Sequence, residues 1–255
     1  MTSPFAKVQI ADLEPGDSMG QVAIPPKDEE VHLWQFRSQV SSGLSDFEAL
    51  LSADERQRAS RFHFVRDAHR FTVARAHTRL ILSAYLQADP RDVQFVHSKH
   101  GKPRIASAQW DIRFNVSHSG DQAMVAVASQ REVGVDIEQI RSNVECEQLA
   151  ERFFSPGERN LISGLPEDEK LQAFFRLWTC KEAFLKAHGA GLSRSLSSFD
   201  VKLGSSPGQL LIISGDAGEE EKWRLVEVET GSGYRAAAVV EGILAQMSVF
   251  RLQPR

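Results

Sequence analysis

Cysteine is scarce: the 255 residues include only Cys146 and Cys180. That excludes a disulfide framework and a thiolate metal cluster, and it suits a reducing compartment. Long apolar runs are missing too. The strand-sized "AMVAVA" (123–128) falls far short of the roughly 18 residues a membrane helix needs. The first twenty residues, "MTSPFAKVQIADLEPGDSMG", lack an apolar core of the signal-peptide kind, which predicts a cytoplasmic protein without a membrane anchor. Excess positive charge is also absent. A net charge of −4 argues against a general nucleic-acid binder. Ser117 does not sit in a G-x-S-x-G elbow, and adjacent Ser117 and His118 cannot readily form a triad-type bond within one strand.

What is present reads as an ordinary soluble globular protein, with 42% hydrophobic and 25% charged residues. The charge is unevenly spread. From Arg56 to Arg104 there are eleven Lys or Arg against three acids, leaving nineteen basic and thirty-one acidic residues elsewhere. A basic zone in an acidic protein fits an anionic partner of limited size, or simply a solvated helix face.

Residues 1–28, with Pro4, Pro15, Pro25 and Pro26, read as an extended arm. "VHLWQF" (31–36) reads as a strand, and "SDFEALLSADERQRASRF" carries a helical pattern with Ser45 as its N-cap. "RDAHRFTVARAHTRLILSAYL" (66–86), free of Gly and Pro, is the strongest helix of the first half; strands follow near 93–97, 112–116 and 122–129. The second half repeats that order. "VGVDIE" is a strand, two short helices break at Pro156, a long helix spans 167–189, and strands fill the tail. The expected fold class is α+β: two similar lobes in a pseudo-two-fold relation, each an antiparallel sheet packed on a long helix. The expected boundaries are an arm over 1–28, an N-terminal lobe over 29–130 and a C-terminal lobe over 131–255.

In "GVDIEQI" (134–140), residues two apart share a face, so Asp136 and Glu138 point one way and Val135 and Ile137 point to the core. Two carboxylates so placed repel unless a cation separates them, and oxygen-only ligation favours Mg²⁺ or Mn²⁺. The solvent face of an edge strand is the alternative. On the long helix, Glu182 sits at the edge of an apolar stripe of Leu171, Phe174, Phe175, Trp178 and Leu185, with Lys186 one turn on. An i,i+4 ion pair would account for both charges. "FNVSHSGD" (114–121) offers hydroxyls, an imidazole and a glycine, either as a phosphate cradle or as a polar turn. "HGKPRIA" (100–106) presents Lys102 and Arg104 on a Gly-Pro turn able to meet a phosphate or a purine.

The order and spacing of these blocks are more specific than any one of them. "VGVDIE" and "WTCKEAFLKAHGAGL", with 41 residues between Asp136 and Trp178, resemble the signature of the 4′-phosphopantetheinyl transferases, of the two-lobed monomeric type. "RFHFVRDAHRF", "GKP", "FNVSHSG" and "ERFFSPGE" resemble that family's supporting motifs in the same order, and the likeness runs from about Arg56 to Leu192.

The resemblance implies coenzyme A bound between the lobes, and Mg²⁺-dependent attack by a serine of an apo carrier protein on its β-phosphate. Phosphopantetheine is transferred and 3′,5′-ADP leaves. It implies Asp136, Glu138 and Glu182 as metal ligands, Glu182 as acceptor of the serine proton, and Lys186 at the pyrophosphate. Ser117 and His118 would contact coenzyme A phosphates, Lys102 and Pro103 would frame the adenine, and Arg58 and Arg70 would meet the 3′-phosphate. Lys181 belongs to the cofactor-binding motif, in a catalytic or a structural role. Glu55 departs from the family pattern, which often has lysine there. An acidic carrier helix would be steered by basic residues near the cleft, and Phe153, Phe154 and Leu161 belong either to a docking surface or to the core. The competing expectations are a Mg²⁺-dependent hydrolase of nucleotide-like pyrophosphates and a non-catalytic coenzyme A or carrier-binding module. Partners would thus be coenzyme A and a carrier protein, with neither nucleic acid nor membrane.

Overall fold

Two 22-residue helices, each lying on a five-stranded sheet, organise the chain. The computed structural model describes residues 7–13, 24–106, 111–189, 191, 194–203, 210–214 and 218–253. The first half comprises β1 (Lys7–Leu13), β2 (Glu30–Arg37), α1 (Leu44–Glu48), α2 (Ala53–Ala59), α3 (Val65–Leu86), β3 (Phe95–His97), β4 (Pro103–Ile105), β5 (Ile112–Ser119) and β6 (Gln122–Ser129). The second comprises β7 (Val133–Gln139), α4 (Cys146–Phe153), α5 (Pro156–Ser163), α6 (Glu167–His188), β8 (Asp200–Lys202), β9 (Leu210–Ser214), α7 (Glu219–Lys222), β10 (Trp223–Val228), β11 (Tyr234–Glu241) and β12 (Gln246–Leu252).

The sheets run β1-β12-β2-β6-β5 and β7-β11-β10-β9-β8. Three apolar clusters make the layers. α3 buries Ala74, Ile81, Leu82 and Tyr85 against Trp34, Phe36, Phe114 and Val125 of the first sheet. α6 buries Phe174, Phe175, Leu177, Cys180 and Phe184 against Trp223, Leu225, Ala237 and Val239 of the second. Between the sheets, Val31, Leu33, Met124 and Ala126 meet Val133, Val135, Ile137, Ala236 and Ala238. The result is a helix–sheet–sheet–helix stack of the expected α+β class, in which strand residues of alternating direction supply two cores at once.

The structure departs from the sequence expectations at three places. The first sheet is mixed, because β12 runs parallel to both β1 and β2. The final strand, expected with the C-terminal lobe, returns instead to the first sheet: Met247 and Val249 enter the inter-sheet core while Phe250 packs on Trp34 at 4.6 Å between ring centroids. Within the expected arm, the described residues 7–13 form an edge strand, whereas 1–6 and 14–23 lie outside the described residues. Finally, the helix expected from Ser45 is two helices. Ser52 and Glu55 form a capping box that starts α2 afresh, which fixes the break.

α6 ends at Gly189 in the left-handed conformation (φ 75°), as a glycine C-cap allows. Gly134 in β7 serves a different need. A Cβ there would lie 2.2 Å from the Ala183 carbonyl oxygen and 2.3 Å from Ala187 N, so only glycine lets β7 lie directly on the α6 backbone. That contact sets the distance between Asp136 and the side chains of α6.

Candidate active site

One edge of β7 pairs with β11 through the backbone, Asp136 opposite Ala237. The other edge meets β5, and there side chains replace the ladder. Asn115 Oδ1 accepts from Val135 N at 2.9 Å, Ser117 Oγ from Ile137 N at 3.3 Å, and Ser119 Oγ from Gln139 N at 3.1 Å. Period-two spacing along β5 puts all three side chains on one side, where they satisfy the amides of an otherwise open edge. This seam joins the two sheets and holds the acids beside it.

Asp136 and Glu138 share the α6 face of β7, as their spacing requires, while Val135 and Ile137 enter the inter-sheet core. Asp136 is only 3% exposed. Its Oδ1 accepts from Ser117 Oγ at 2.8 Å and from Lys186 Nζ at 2.6 Å, and Lys186 Nζ also donates to Ser117 Oγ at 2.9 Å. Lys186 therefore reaches across from α6 to β7, and its ion pair is with Asp136. Glu138 Oε2 accepts from Ser119 Oγ at 2.6 Å. Asp136, Glu138, Glu182, Lys186, Ser117, His118 and Trp178 line one cavity of about 380 Å³. Glu182 and Lys186 also border a second cavity of about 270 Å³, walled by Gly101, Lys102, Pro103, Asn115, Leu185, Gly189 and Gly191. The two cavities adjoin at Glu182 and Lys186 and together make up the cleft.

The electrostatics follow from burial first and crowding of like charge second. Burial raises the Glu138 pKa and Asp136 adds to it, against the Ser119 hydrogen bond and the charges of Arg141 and Lys186. Glu182 is raised by burial, then by Asp136 and more weakly by Glu138, with Lys186 opposing. Both carboxyls are thus destabilised as anions, and a divalent cation would relieve them. Asp136 Oδ2 is buried and has no hydrogen-bond partner. An all-oxygen set with an orphaned carboxylate oxygen fits Mg²⁺. Among the described residues no three acidic, His or Cys side chains lie close enough together to enclose a metal as they stand. Two acids come from β7 and one from α6, and Lys186 rests against Asp136 Oδ1 between them.

His118 is exposed, yet its pKa is lowered. The protein packed around the ring disfavours the imidazolium, the Lys186 and Arg58 charges push the same way, Asp136 opposes, and Arg70 adds a little. Arg58 and Arg70 are thus near enough to act on His118 through their charge. Arg70 is tied to Asp121 by a short ion pair, and its Nε is buried without a partner; Arg58 lies over the Phe71 ring at 5.3 Å.

Two expectations need correction, and one choice between docking surface and core is decided. Lys181 is wholly buried and directed away from the cleft. Its Nζ donates to both Glu158 carboxylate oxygens at 2.7 Å and to the Phe199 carbonyl at 2.5 Å, so it cannot bind a cofactor. Lys102 borders the smaller cavity only with its stem. Its ammonium is held by Glu132 (2.7 Å) and by the carbonyls of Ala187 (3.0 Å) and Val133 (3.1 Å), which leaves no free charge for a phosphate. Phe154 is core, 1% exposed, and half-buried Phe153 packs edge-on against Trp178. Leu161 alone of that trio is exposed, at 46%. Glu55, the departure from the family pattern, is buried and paired with Arg75 and Arg79, the latter at 2.7 Å. It is a structural anchor of α2 on α3.

Residues 132–239 match the model of the 4′-phosphopantetheinyl transferase superfamily, and residues 38–131 match that of the 4′-phosphopantetheinyl transferase N-terminal region. The chain is 39% identical over 218 residues to the 4′-phosphopantetheinyl transferase HetI of Nostoc sp., covering 84% of this chain and 89% of that one. The chain belongs to the 4′-phosphopantetheinyl transferase superfamily. It is also 35% identical over 185 residues to the 4′-phosphopantetheinyl transferase Sfp of Bacillus subtilis, covering 72% of this chain and 80% of that one. As a transferase of this superfamily the protein carries its acids and Lys186 at the junction of the two matched regions, where β5 meets β7. Asn115, Ser119 and Glu132 build the site without standing out in the sequence. The alternation Asn115-x-Ser117-x-Ser119 is the signal that could have found the first two.

Proposed function

We propose that the protein transfers the 4′-phosphopantetheine arm of coenzyme A to a serine hydroxyl of an apo carrier protein, releasing 3′,5′-ADP, with Mg²⁺ held by Asp136, Glu138 and Glu182. The observation that carries this is the convergence of three carboxylates, Lys186 and His118 on one cavity at the seam of the two sheets. Mg²⁺, when bound, would neutralise charge on the pyrophosphate and lower its resistance to an incoming nucleophile.

The rest falls to side chains. Glu182, whose pKa is raised, is suited to take the proton from the acceptor serine. Lys186 exchanges Asp136 for the pyrophosphate and stabilises the charge that develops on the leaving phosphate. His118, neutral because its pKa is lowered, donates to a coenzyme A phosphate without adding charge. Pro103, Gly101 and the Lys102 stem offer an apolar wall to the adenine. Arg58 and Arg70 serve the 3′-phosphate, Arg70 on exchanging its ion pair with Asp121 for the ligand. The carrier protein would approach over 145–165, where Leu161 is the exposed apolar anchor. The enzyme would act as a cytoplasmic monomer; among the described residues no helix is long and apolar enough to cross a membrane.

Incubation with coenzyme A, Mg²⁺ and an apo carrier protein should yield a carrier heavier by one phosphopantetheine, read by mass spectrometry. Release of 3′,5′-ADP without any carrier would mark a hydrolase instead. Coenzyme A binding with neither product would mark a non-catalytic module.

A further inference from the structure

Ser117 and Ser119 repeat one arrangement two residues apart. Each hydroxyl accepts from the amide of the β7 residue that follows an acid and donates to that acid's carboxylate. A seam alone needs only acceptors, and Asn115 supplies one with its amide oxygen. A serine adds a proton to give, and at Ser119 that proton goes to Glu138 Oε2 at 2.6 Å. Ser117 is shared with Lys186 inside the cleft, whereas Ser119 has no contact of its own with the pyrophosphate site. Its position is fixed from the other side as well. Gly120 turns the chain at φ 56°, so tightly that a Cβ there would lie 2.5 Å from Gln139 Oε1 and 2.6 Å from the Tyr234 hydroxyl oxygen. Asp121 N then donates to that Tyr234 oxygen at 3.1 Å. The Ser119 hydroxyl is thus held rigidly at the end of a strand, whereas Glu138 hangs on a flexible side chain.

We propose that Ser119 is a positioning residue: by holding Glu138 Oε2 it keeps this carboxylate directed at a divalent cation shared with Asp136 and Glu182. The seam that joins the two sheets thereby also sets the metal site. This rests on the metal-dependent transfer proposed above. The hydroxyl substitutes for the outer-sphere partner that a ligating carboxylate needs to keep its orientation.

The test is Mn²⁺ binding to the full chain with coenzyme A present, followed by the electron paramagnetic resonance signal of free Mn²⁺. Ser119→Ala should weaken Mn²⁺ binding about tenfold or more and raise the Mg²⁺ concentration for half-maximal turnover in parallel. Ser119→Thr keeps the hydroxyl and should restore both, whereas Ser119→Val, of the same shape, should not. This second pair decides the matter if alanine loosens the fold. In a Glu138→Ala background, Ser119→Ala should weaken Mn²⁺ binding no further. Wild-type Mn²⁺ affinity in Ser119→Ala, or an equal loss in both backgrounds, overturns the proposal. A wild-type protein that neither binds Mn²⁺ nor needs Mg²⁺ would instead remove the metal-dependent reaction itself.

Discussion

Lys186 Nζ lies 2.6 Å from Asp136 Oδ1, a helix cation resting on a strand carboxylate that is nearly inaccessible to water. The two elements touch backbone to backbone at Gly134, so the pairing is set by the fold rather than by the reach of a long side chain. A buried carboxylate without a counter-charge is costly, and Lys186 offsets that cost. In the proposed reaction a divalent cation would take over at Asp136, and the same lysine would then be free to stabilise charge on the pyrophosphate.

Lys186→Met should therefore act on two observables. Turnover should fall on the order of a hundredfold, since a cation at the pyrophosphate is lost. The melting temperature of the metal-free protein should fall too. Removing one partner of a buried pair costs about 3–5 kcal/mol, and Lys186, 29% exposed, belongs at the lower end. Mg²⁺ should restore part of the lost stability, as followed by differential scanning calorimetry. A metal-free variant that melts at the wild-type temperature would show that the pair carries no stability.

Lys181 should behave in the opposite way. Its ammonium is enclosed by Glu158, the Phe199 carbonyl and the Phe199 ring at 4.2 Å, on the side of α6 remote from the cleft. Burial lowers its pKa, and the charge of Glu158 and its hydrogen bond oppose that shift. Lys181→Ala leaves Glu158 buried and unpaired, and should cost about 3–5 kcal/mol in urea unfolding. Whatever fraction stays folded should keep the wild-type KM for coenzyme A. A raised KM with unchanged stability would return Lys181 to the cofactor site.

Much of the frame is legible in the sequence because it depends on local periodicity. α3 and α6 show continuous apolar faces without glycine or proline, and the alternation in 133–139 by itself puts Asp136 and Glu138 on one face. Charge pairing is not legible. Lys102 finds Glu132 30 positions away, Lys181 finds Glu158 23 away, and Glu55 meets Arg75 and Arg79 at 20 and 24. Nothing in a single sequence distinguishes a buried, partnered lysine from one awaiting a phosphate. The return of β12 to the first sheet is hidden for the same reason: the two strands it pairs with are more than two hundred residues away.

Glu55 gives an acid-stability signature. Burial pushes its carboxyl up, but the Arg79 hydrogen bond, the Arg75 charge and the Ser52 amide outweigh that, so its pKa in the folded protein is below the ordinary value. A depressed carboxylate contributes its stability in full above the unfolded-state pKa of about 4.3, and loses it as pH falls through the folded value. The stability difference between wild type and Glu55→Gln should then be largest near neutral pH and shrink below about pH 4.3. Urea unfolding at a series of pH values measures it. A difference that grows toward acid would reverse the assignment.

His118 should separate binding from chemistry. It is exposed, makes no structural hydrogen bond among those described, lines the cavity with Lys186, and feels the charges of Lys186, Arg58 and Arg70. His118→Ala should raise KM for coenzyme A about tenfold, the worth of one hydrogen bond to a charged group, with kcat changed far less. The melting temperature should stay at the wild-type value. Equal losses in kcat and kcat/KM with an unchanged KM would instead place the imidazole at the transition state.

Gly134 tests the claim that one backbone contact sets the active-site spacing. A methyl group at residue 134 would be driven into the Ala183 carbonyl oxygen and Ala187 N, neither of which can rotate away. Gly134→Ala must push α6 off β7, at a cost of about 1–3 kcal/mol for overpacking. α6 carries both Glu182 and Lys186, so a shift of even an ångström moves the proposed proton acceptor and the cation together, with an expected loss of roughly a hundredfold in turnover. The loss should exceed anything the lowered stability explains when the variant is assayed well below its melting temperature. If Gly134→Ala is destabilised but fully active once folded, close approach of the strand to the helix serves packing alone.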